Sequence, residues 1–526
     1  MKTLFRAVLL GSAFLTVAPV LAPAVAPSAV AKEPTWIVDK TLTLKIHMHF
    51  RDRFTWTDDW PVAKELTRLT NVKLTNTANK SAINSAEQFN LMMASGDLPD
   101  IVGGEFVGSA NMKDAFIRYG IEGAFVPLND LIDKHAPNLK AFFDSHPDVR
   151  KAISAPDGKI YYIPYVPDGV VARGWMIRKD WLDKLGLKEP KTVQELHDVL
   201  LAFKTRDPNG NGKADEIPFL HREPENAFRL VTLFGGRYSG SDAPYDFYVE
   251  NGKVKHGLAD PTFKTAIAEV AKWYKEGLID PEIFTRRARA REELFGTDRG
   301  GATHDWFAST YNFNDSLAKT VPGFKIKFMP PPADINGKMW EENARAIVKP
   351  SGWAMTVANK NPIETIKLFD FYFTKQGRIL SNFGVEGQQY DMKDGKPVYK
   401  DEVLKAARAV NSQMYDVGAQ IPLGYWQDYE YERQWTPADA MADIDAYTQY
   451  LIPQFNGVNL TAEERAVYDE AWPDIRSYMV ETAQNWFIGA KDVNQTWDDY
   501  QKRLKSMGYD KVMTVMQRAY DRQYGK

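Results

Sequence analysis

The sequence predicts an α/β protein of two lobes, entered more than once by the chain, with extra helices at its C-terminal end. Three observations predict it: strand and helix patterns alternate near the N-terminus, a second such run opens near Gly174, and amphipathic helical stripes fill the chain from Thr461 onward. Leu42 to Phe50 alternates with period two, as a half-buried strand does. Pro61 to Leu69 follows as a helix, Val72 to Thr75 as a strand, Ala86 to Ser95 as a helix ended by Gly96 and Pro99, and Asp100 to Gly103 as a short strand. Such alternation favours a mostly parallel sheet with helices on its faces.

The second run begins with Gly174 to Arg178, with helices at Lys179 to Leu185, Thr192 to Lys204, Glu225 to Phe234 and Pro261 to Glu276. Gly300-Gly301 and the prolines 330 to 332 read as punctuation, and Trp353 to Val357 followed by Pro362 to Phe373 is one more strand and helix. The helices Ala462 to Ala483 and Thr496 to Met507 have stripes suited to packing on existing lobes.

Composition narrows the function classes. The 526 residues are 44% hydrophobic and 26% charged, which suits a folded chain and excludes a disordered one. Lys and Arg number 66 against 69 Asp and Glu, so no general basic field exists to hold nucleic acid. Cysteine is absent, which removes disulfides, thiolate metal sites and cysteine nucleophiles, and is compatible with an oxidising compartment. Lys2 and Arg6 precede an apolar run from Ala7 to Ala26, and the small-residue triplet ending at Ala31 closes it as a secretory leader does. Cleavage there leaves 64 basic against 69 acidic residues, a formal charge of −5. The mature chain is then expected to be soluble outside the cytoplasm.

Common catalytic signatures are missing. No phosphate-binding loop, no His-Glu-x-x-His and no Gly-x-Ser-x-Gly elbow occurs. His47 and His49 share a strand face, but no third ligand lies nearby, and a structural role is favoured. Paired carboxylates drawn from distant positions remain possible. A secreted polysaccharide lyase or glycoside hydrolase is therefore an open alternative.

The sharpest chemical signal is Asp207 to Glu216. Asp207, Asn209 and Asn211 set oxygen side chains at positions 1, 3 and 5, Gly212 follows at 6, and the Lys213 carbonyl stands at 7. That phase wraps a loop around a hard cation, and Ca²⁺ is the expected ion, with a structural role. Position 12, where an EF-hand has a bidentate Glu, is Pro218, so Asp215 and Glu216 must supply the remaining charge. A bare Asn-Gly turn is the alternative.

Residues 425 to 435 hold five aromatic rings, Tyr425, Trp426, Tyr429, Tyr431 and Trp435, interleaved with carboxylates, an amide and Arg433. A pyranose offers apolar faces to such rings and hydroxyls to such a polar rim. Tyr431 and Trp435 share a face if the segment is helical, and core packing is the alternative for each ring. Trp306 stands just past a glycine pair near an expected lobe crossing. Arg51 and Arg53 follow the first strand, where a doubly wound sheet faces its ligand crevice, and Arg173 and Lys349 flank other strand ends. Guanidinium groups there suit bidentate recognition of carboxylates.

The segments 207 to 219 and 382 to 390 resemble those of extracellular solute-binding proteins of bacterial ABC importers. More narrowly, residues 42 to 51, 87 to 96, 164 to 169, 303 to 309 and 426 to 435 are similar to the periplasmic alginate-binding proteins, and the likeness spans almost all of the mature chain. It implies a periplasmic binding protein fold with the ligand cleft between the lobes. It also implies a non-catalytic, monomeric receptor that takes alginate oligosaccharides to a membrane permease and carries calcium in the loop from Asp207. Trp306, Tyr431 and Trp435 match the aromatic positions expected to meet sugar, and Trp426 and Gln88, inside matching segments, join the candidates. Residues 105 to 111 and 237 to 245 depart from the family pattern, which leaves other acidic glycans such as glycosaminoglycan fragments open. The lobes are expected to comprise residues 32–168, with about 305–350 returning to the first, and 169–304, with about 351–526 returning to the second while the C-terminal helices pack across both.

Overall fold

The computed structural model describes residues 34–104, 112–171, 173–238, 247–286, 289–342, 345–406 and 408–525. The leader read over residues 1–31 lies outside them, as do the departures at 105–111 and 239–245. Strand β1 (Leu42–Phe50) is buried on both faces from Ile46 onward, deeper than its alternation implies, as an inner strand of a largely parallel, two-sided sheet is. Helix α1 (Pro61–Thr70) starts on a proline, buries Val62, Leu66 and Leu69, and stops at Asn71, which turns left-handed. The chain then returns as β2 (Val72–Asn76), parallel to β1 with Leu74 opposite Leu44. Helix α2 (Ser85–Ser95) is capped by the Asn84 side chain, and β3 (Ile101–Gly104) pairs with the other edge of β1 in parallel.

After β4 (Ile163–Pro164) the chain enters the second lobe. Its sheet forms from β5 (Arg173–Arg178), β6 (Ile217–Leu220), β7 (Gly300–Trp306) and β8 (Ile326–Phe328), in the order β8-β5-β7-β6. Helices α3 (Lys179–Leu185), α4 (Val193–Thr205) and α5 (Pro261–Lys275) belong to this lobe. The helix expected over Glu225 to Phe234 winds instead as a tighter 3₁₀ segment, Pro224–Phe234. The glycine pair Gly300-Gly301 is not punctuation. It lies inside β7, where a Cβ on Gly300 would stand 2.5 Å from Leu220 and one on Gly301 2.7 Å from the Pro218 carbonyl. Only hydrogen lets β7 lie this close to β6.

The expected lobe boundaries need correction. Strand β8, in the stretch assigned to the first lobe, pairs antiparallel with β5 in the second sheet. Strand β9 (Gly352–Met355), assigned to the second lobe, lies between β3 and β4 in the first, antiparallel to both. A buried strand followed by a helix reads the same whichever sheet it joins, so local pattern could not place it. Among the described residues the chain thus crosses three times, near 166–171, 342–351 and 431–440; the returning strand β9 makes the first sheet mixed, and the antiparallel pairing of β5 with β7 and β8 makes the second so. The C-terminal helices α6 (Ala462–Phe487), α7 (Val493–Ser506) and α8 (Tyr509–Tyr524) bury Trp472, Trp486 and Tyr500 in the second-lobe core. They also reach the first lobe, where Arg465 meets Asp114 at 2.9 Å. Among the described residues no helix is long and apolar enough to cross a membrane.

Candidate ligand cleft and cation loop

A cavity of about 600 Å³ opens between the lobes; residues of the second and third crossovers line it, as do Tyr165 and Arg173 on either side of the first. Arg51 enters from the first lobe on a strained turn past β1, where Arg51 and Asp52 have φ of 50° and 57°. The turn is held by reciprocal bonds: Ser85 donates its N–H to the Asp52 carboxylate, and Asp52 donates its N–H to the Ser85 hydroxyl. His49 bonds the same hydroxyl at 2.6 Å and the Ala82 carbonyl at 3.0 Å. That pairing gives His49 the structural role expected of it. Arg51 donates to the Tyr415 hydroxyl at 2.9 Å with its guanidinium over that ring.

The second lobe supplies the opposite wall. Antiparallel register sets Arg173 across from Trp306, and the Arg173 guanidinium lies 4.9 Å from the indole centre. Arg173 also donates two hydrogen bonds to Glu223, at 2.7 and 3.2 Å, while its Nε has no partner. Lys349 lies 5.5 Å from the same indole. Trp435 meets Tyr431 edge-on at 6.3 Å, and its indole N–H is also without a partner. Among the described residues six cations, Arg51, Arg173, Arg222, Arg291, Arg345 and Lys349, line the cavity against two carboxylates, Glu223 and Glu432. A chain of formal charge −3 thus concentrates positive charge in one cleft. Burial holds the Arg291 guanidinium below its ordinary pKa, so an arriving anion meets a poorly hydrated cation.

The loop from Asp207 leads out of α4 and into β6, so a strand replaces the second helix of an EF-hand and takes Pro218 with it. The Asp207 carboxylate accepts the N–H groups of Gly210, Asn211 and Gly212 at 2.9 to 3.0 Å, which coils the backbone around it. Asn209 and Asn211 turn their amide N–H groups to Asp215, and a half-turn of each amide brings its oxygen to that place. The Lys213 N–H is spent on Asn211. Glu216 is 7% exposed with neither oxygen hydrogen-bonded. Burial first, then the charges of Asp207 and Asp215, raise its pKa. Among the described residues no cluster of three His, Cys, Asp or Glu side chains is close enough to hold a metal alone. The donor set here mixes carboxylates, amides and carbonyls, the hard oxygens that calcium takes, and an orphaned buried carboxylate fits such an ion.

Residues 61–379 match the family model described as bacterial extracellular solute-binding protein. The chain belongs to that family. The fructooligosaccharide ABC transporter substrate-binding protein FusA of Streptococcus pneumoniae serotype 4 is 28% identical over 466 residues, covering 83% of this chain and 82% of the relative. The polygalacturonan/rhamnogalacturonan-binding protein YtcQ of Bacillus subtilis is 26% identical over 343 residues, 64% of this chain and 65% of that one. Among solved structures, the alginate-binding protein AlgQ2 without calcium ion is 61% identical, with a TM-score of 0.82 over 93% of this chain and all of that one.

In this solute-binding protein the candidates read from sequence divide. Trp306, Trp435, Tyr431, Arg51, Arg173 and Lys349 line the cavity, whereas Trp426, Arg53 and Gln88 do not. Trp426 packs on Phe142 and His146 and lies 3.6 Å under the Arg378 guanidinium, a structural contact beside the first crossover. Arg53 covers the Phe54 ring, and Gln88 sits half-buried on α2. Sequence reasoning missed Tyr165, Arg222, Glu223, Arg291, Arg345 and Glu432. Arg222 and Glu223 follow the C-terminal end of β6, so the rule that selected Arg51 applied to them as well. Nothing local singles out Arg291 or Arg345.

Proposed function

We propose that this chain is a periplasmic receptor, exported by cleavage near Ala31, which captures alginate or related uronate oligosaccharides and delivers them unchanged to the permease of an ABC importer. The observation that carries this reading is the cleft itself, where six cations face two carboxylates beside indole and phenol rings, with buried donors on Arg173 and Trp435 left unpartnered. A uronate supplies a carboxylate for a guanidinium, ring oxygens for the unpartnered donors and apolar C–H faces for Trp306, Trp435 and Tyr431. A neutral sugar would leave the cleft's excess of positive over negative side chains unmatched, and that difference gives selectivity. The 61% identity to an alginate-binding protein supports the same reading.

Closure of the lobes on ligand, about the three crossovers, is the signal a permease can read. The monomer is the working unit, and no catalytic step is assigned. Asp207, Asn209, Asn211, Asp215, Glu216 and the Lys213 carbonyl would hold a structural Ca²⁺, which relieves repulsion among the three carboxylates and fixes the turn before β6. Calorimetry with alginate oligosaccharides against a neutral fructo-oligosaccharide tests the reading. Binding of the uronate alone is expected, with no new reducing ends or unsaturated uronate after incubation. Preference for the neutral sugar, or turnover of the acidic one, would sink it.

A further inference from the structure

Asp305 is fully buried at the end of β7, one residue before Trp306. Arg222 donates to its two oxygens at 2.7 and 3.0 Å, and the Trp306 N–H donates to one of them at 2.7 Å. The Nε of Arg291 lies 3.3 Å from the other. Arg291 is gripped on its far side by the hydroxyl oxygens of Ser309 and Thr310, which accept from Nη1 at 3.0 and 2.5 Å. Burial would raise the pKa of Asp305, but the charge of Arg291 and the hydrogen bonds from Arg222 hold it well below the usual carboxylate range.

A negative charge behind an anion site is a paradox by Coulomb's law alone, since it weakens attraction for the ligand. One carboxylate nevertheless contacts two cleft guanidiniums and the backbone of a cleft indole. Resting on the uronate reading of this cleft, we propose that Asp305 is a positioning residue: it trades some attraction for a fixed placement of Arg222, Arg291 and Trp306 in the second-lobe wall. Long arginine side chains lose much rotamer freedom when they bind, and a buried partner that orders them beforehand removes that cost from the binding step.

Asp305→Asn keeps the shape and removes the charge. If Asp305 were only a counter-charge, the variant would bind an anion more tightly and its affinity would fall more steeply with salt. Positioning predicts the reverse: affinity for an alginate tetrasaccharide falls about tenfold or more by calorimetry, with a shallower sodium chloride dependence. Equal or tighter binding by Asp305→Asn overturns the proposal, whereas a wild-type protein that ignores the tetrasaccharide overturns the receptor reading instead. Should Asp305→Asn fail to fold, Thr310→Val decides, because it loosens Arg291 without altering any charge. Weaker binding is expected, and unchanged affinity counts against positioning.

Discussion

Arg345 and Glu432 meet at 2.7 Å although they lie on different crossovers, 87 residues apart in the chain. The Arg345 N–H also donates to the carbonyl of Val170 on the remaining crossover, at 2.9 Å. One residue thus ties together all three strands of chain that connect the lobes. The packing is tight around it: Gly169 has φ of 86°, and a Cβ there would stand 3.0 to 3.1 Å from Tyr429 and Arg345. Because both charged partners also line the cleft, ligand binding and lobe geometry share the same atoms.

Glu432→Gln should destabilise the protein by about 3 kcal/mol, because it leaves a buried guanidinium without its counter-charge. Urea unfolding measures this. A variant as stable as wild type would mean that the pair is replaceable by solvent.

Trp435→Ala should weaken uronate binding about tenfold while the protein stays folded, since the ring is half-buried and borders the cavity. Calorimetry and circular dichroism together check it. Loss of the folded signal would return that indole to the core.

Calcium should raise the melting temperature, and a chelator should lower it more than it lowers sugar affinity. The pH dependence carries the sign. Glu216 has a raised pKa in the fold, so the folded state binds the proton more readily, and without calcium its contribution to stability declines as pH rises through the carboxylate range. Glu216→Gln should therefore be the more stable protein in chelator at neutral pH and should lose the calcium response. A melting temperature indifferent to both calcium and chelator would remove the ion from the account.

His47 should destabilise the fold in acid. Burial, with His49 beside it, pushes its pKa down to about 4, and burial pushes His221 down to about 3. The unfolded chain then holds those protons more readily, so stability is complete above about pH 6.5 and is lost as pH falls toward 4. Denaturation midpoints measured from pH 7 to 4 should fall less steeply in His47→Gln than in wild type. Identical slopes would show that these imidazoles are not what acid attacks.

Much of the fold was readable from local pattern. Period-two alternation marked β1, Pro61 and Asn71 bracketed α1, and glycine-proline punctuation closed α2. The rule that ligands gather at carboxyl ends of strands found Arg51, which lines the cleft, yet also selected Arg53, which turns away onto Phe54. Two residues along the same loop point in different directions, and only the turn geometry tells them apart. Trp426 and Trp435 likewise share one aromatic cluster in the chain, but backbone pairing of Trp426 with Val166 draws its ring onto Phe142 and His146.

By itself the sequence determined most of the element types, though not the 3₁₀ winding of 224–234 or the place of Gly300-Gly301 inside β7, together with the oxygen spacing of the loop from Asp207 and the family likeness, because each is set by residues near one another in the chain. Tertiary structure alone decided which sheet β8 and β9 joined, and it brought Arg173, Arg291, Arg345 and Glu432 around one cavity. The physical reason is that a buried strand satisfies its hydrogen bonds equally well beside any partner of the right register. The choice among partners, and with it the placement of every charge in the cleft, belongs to the packing of the whole chain.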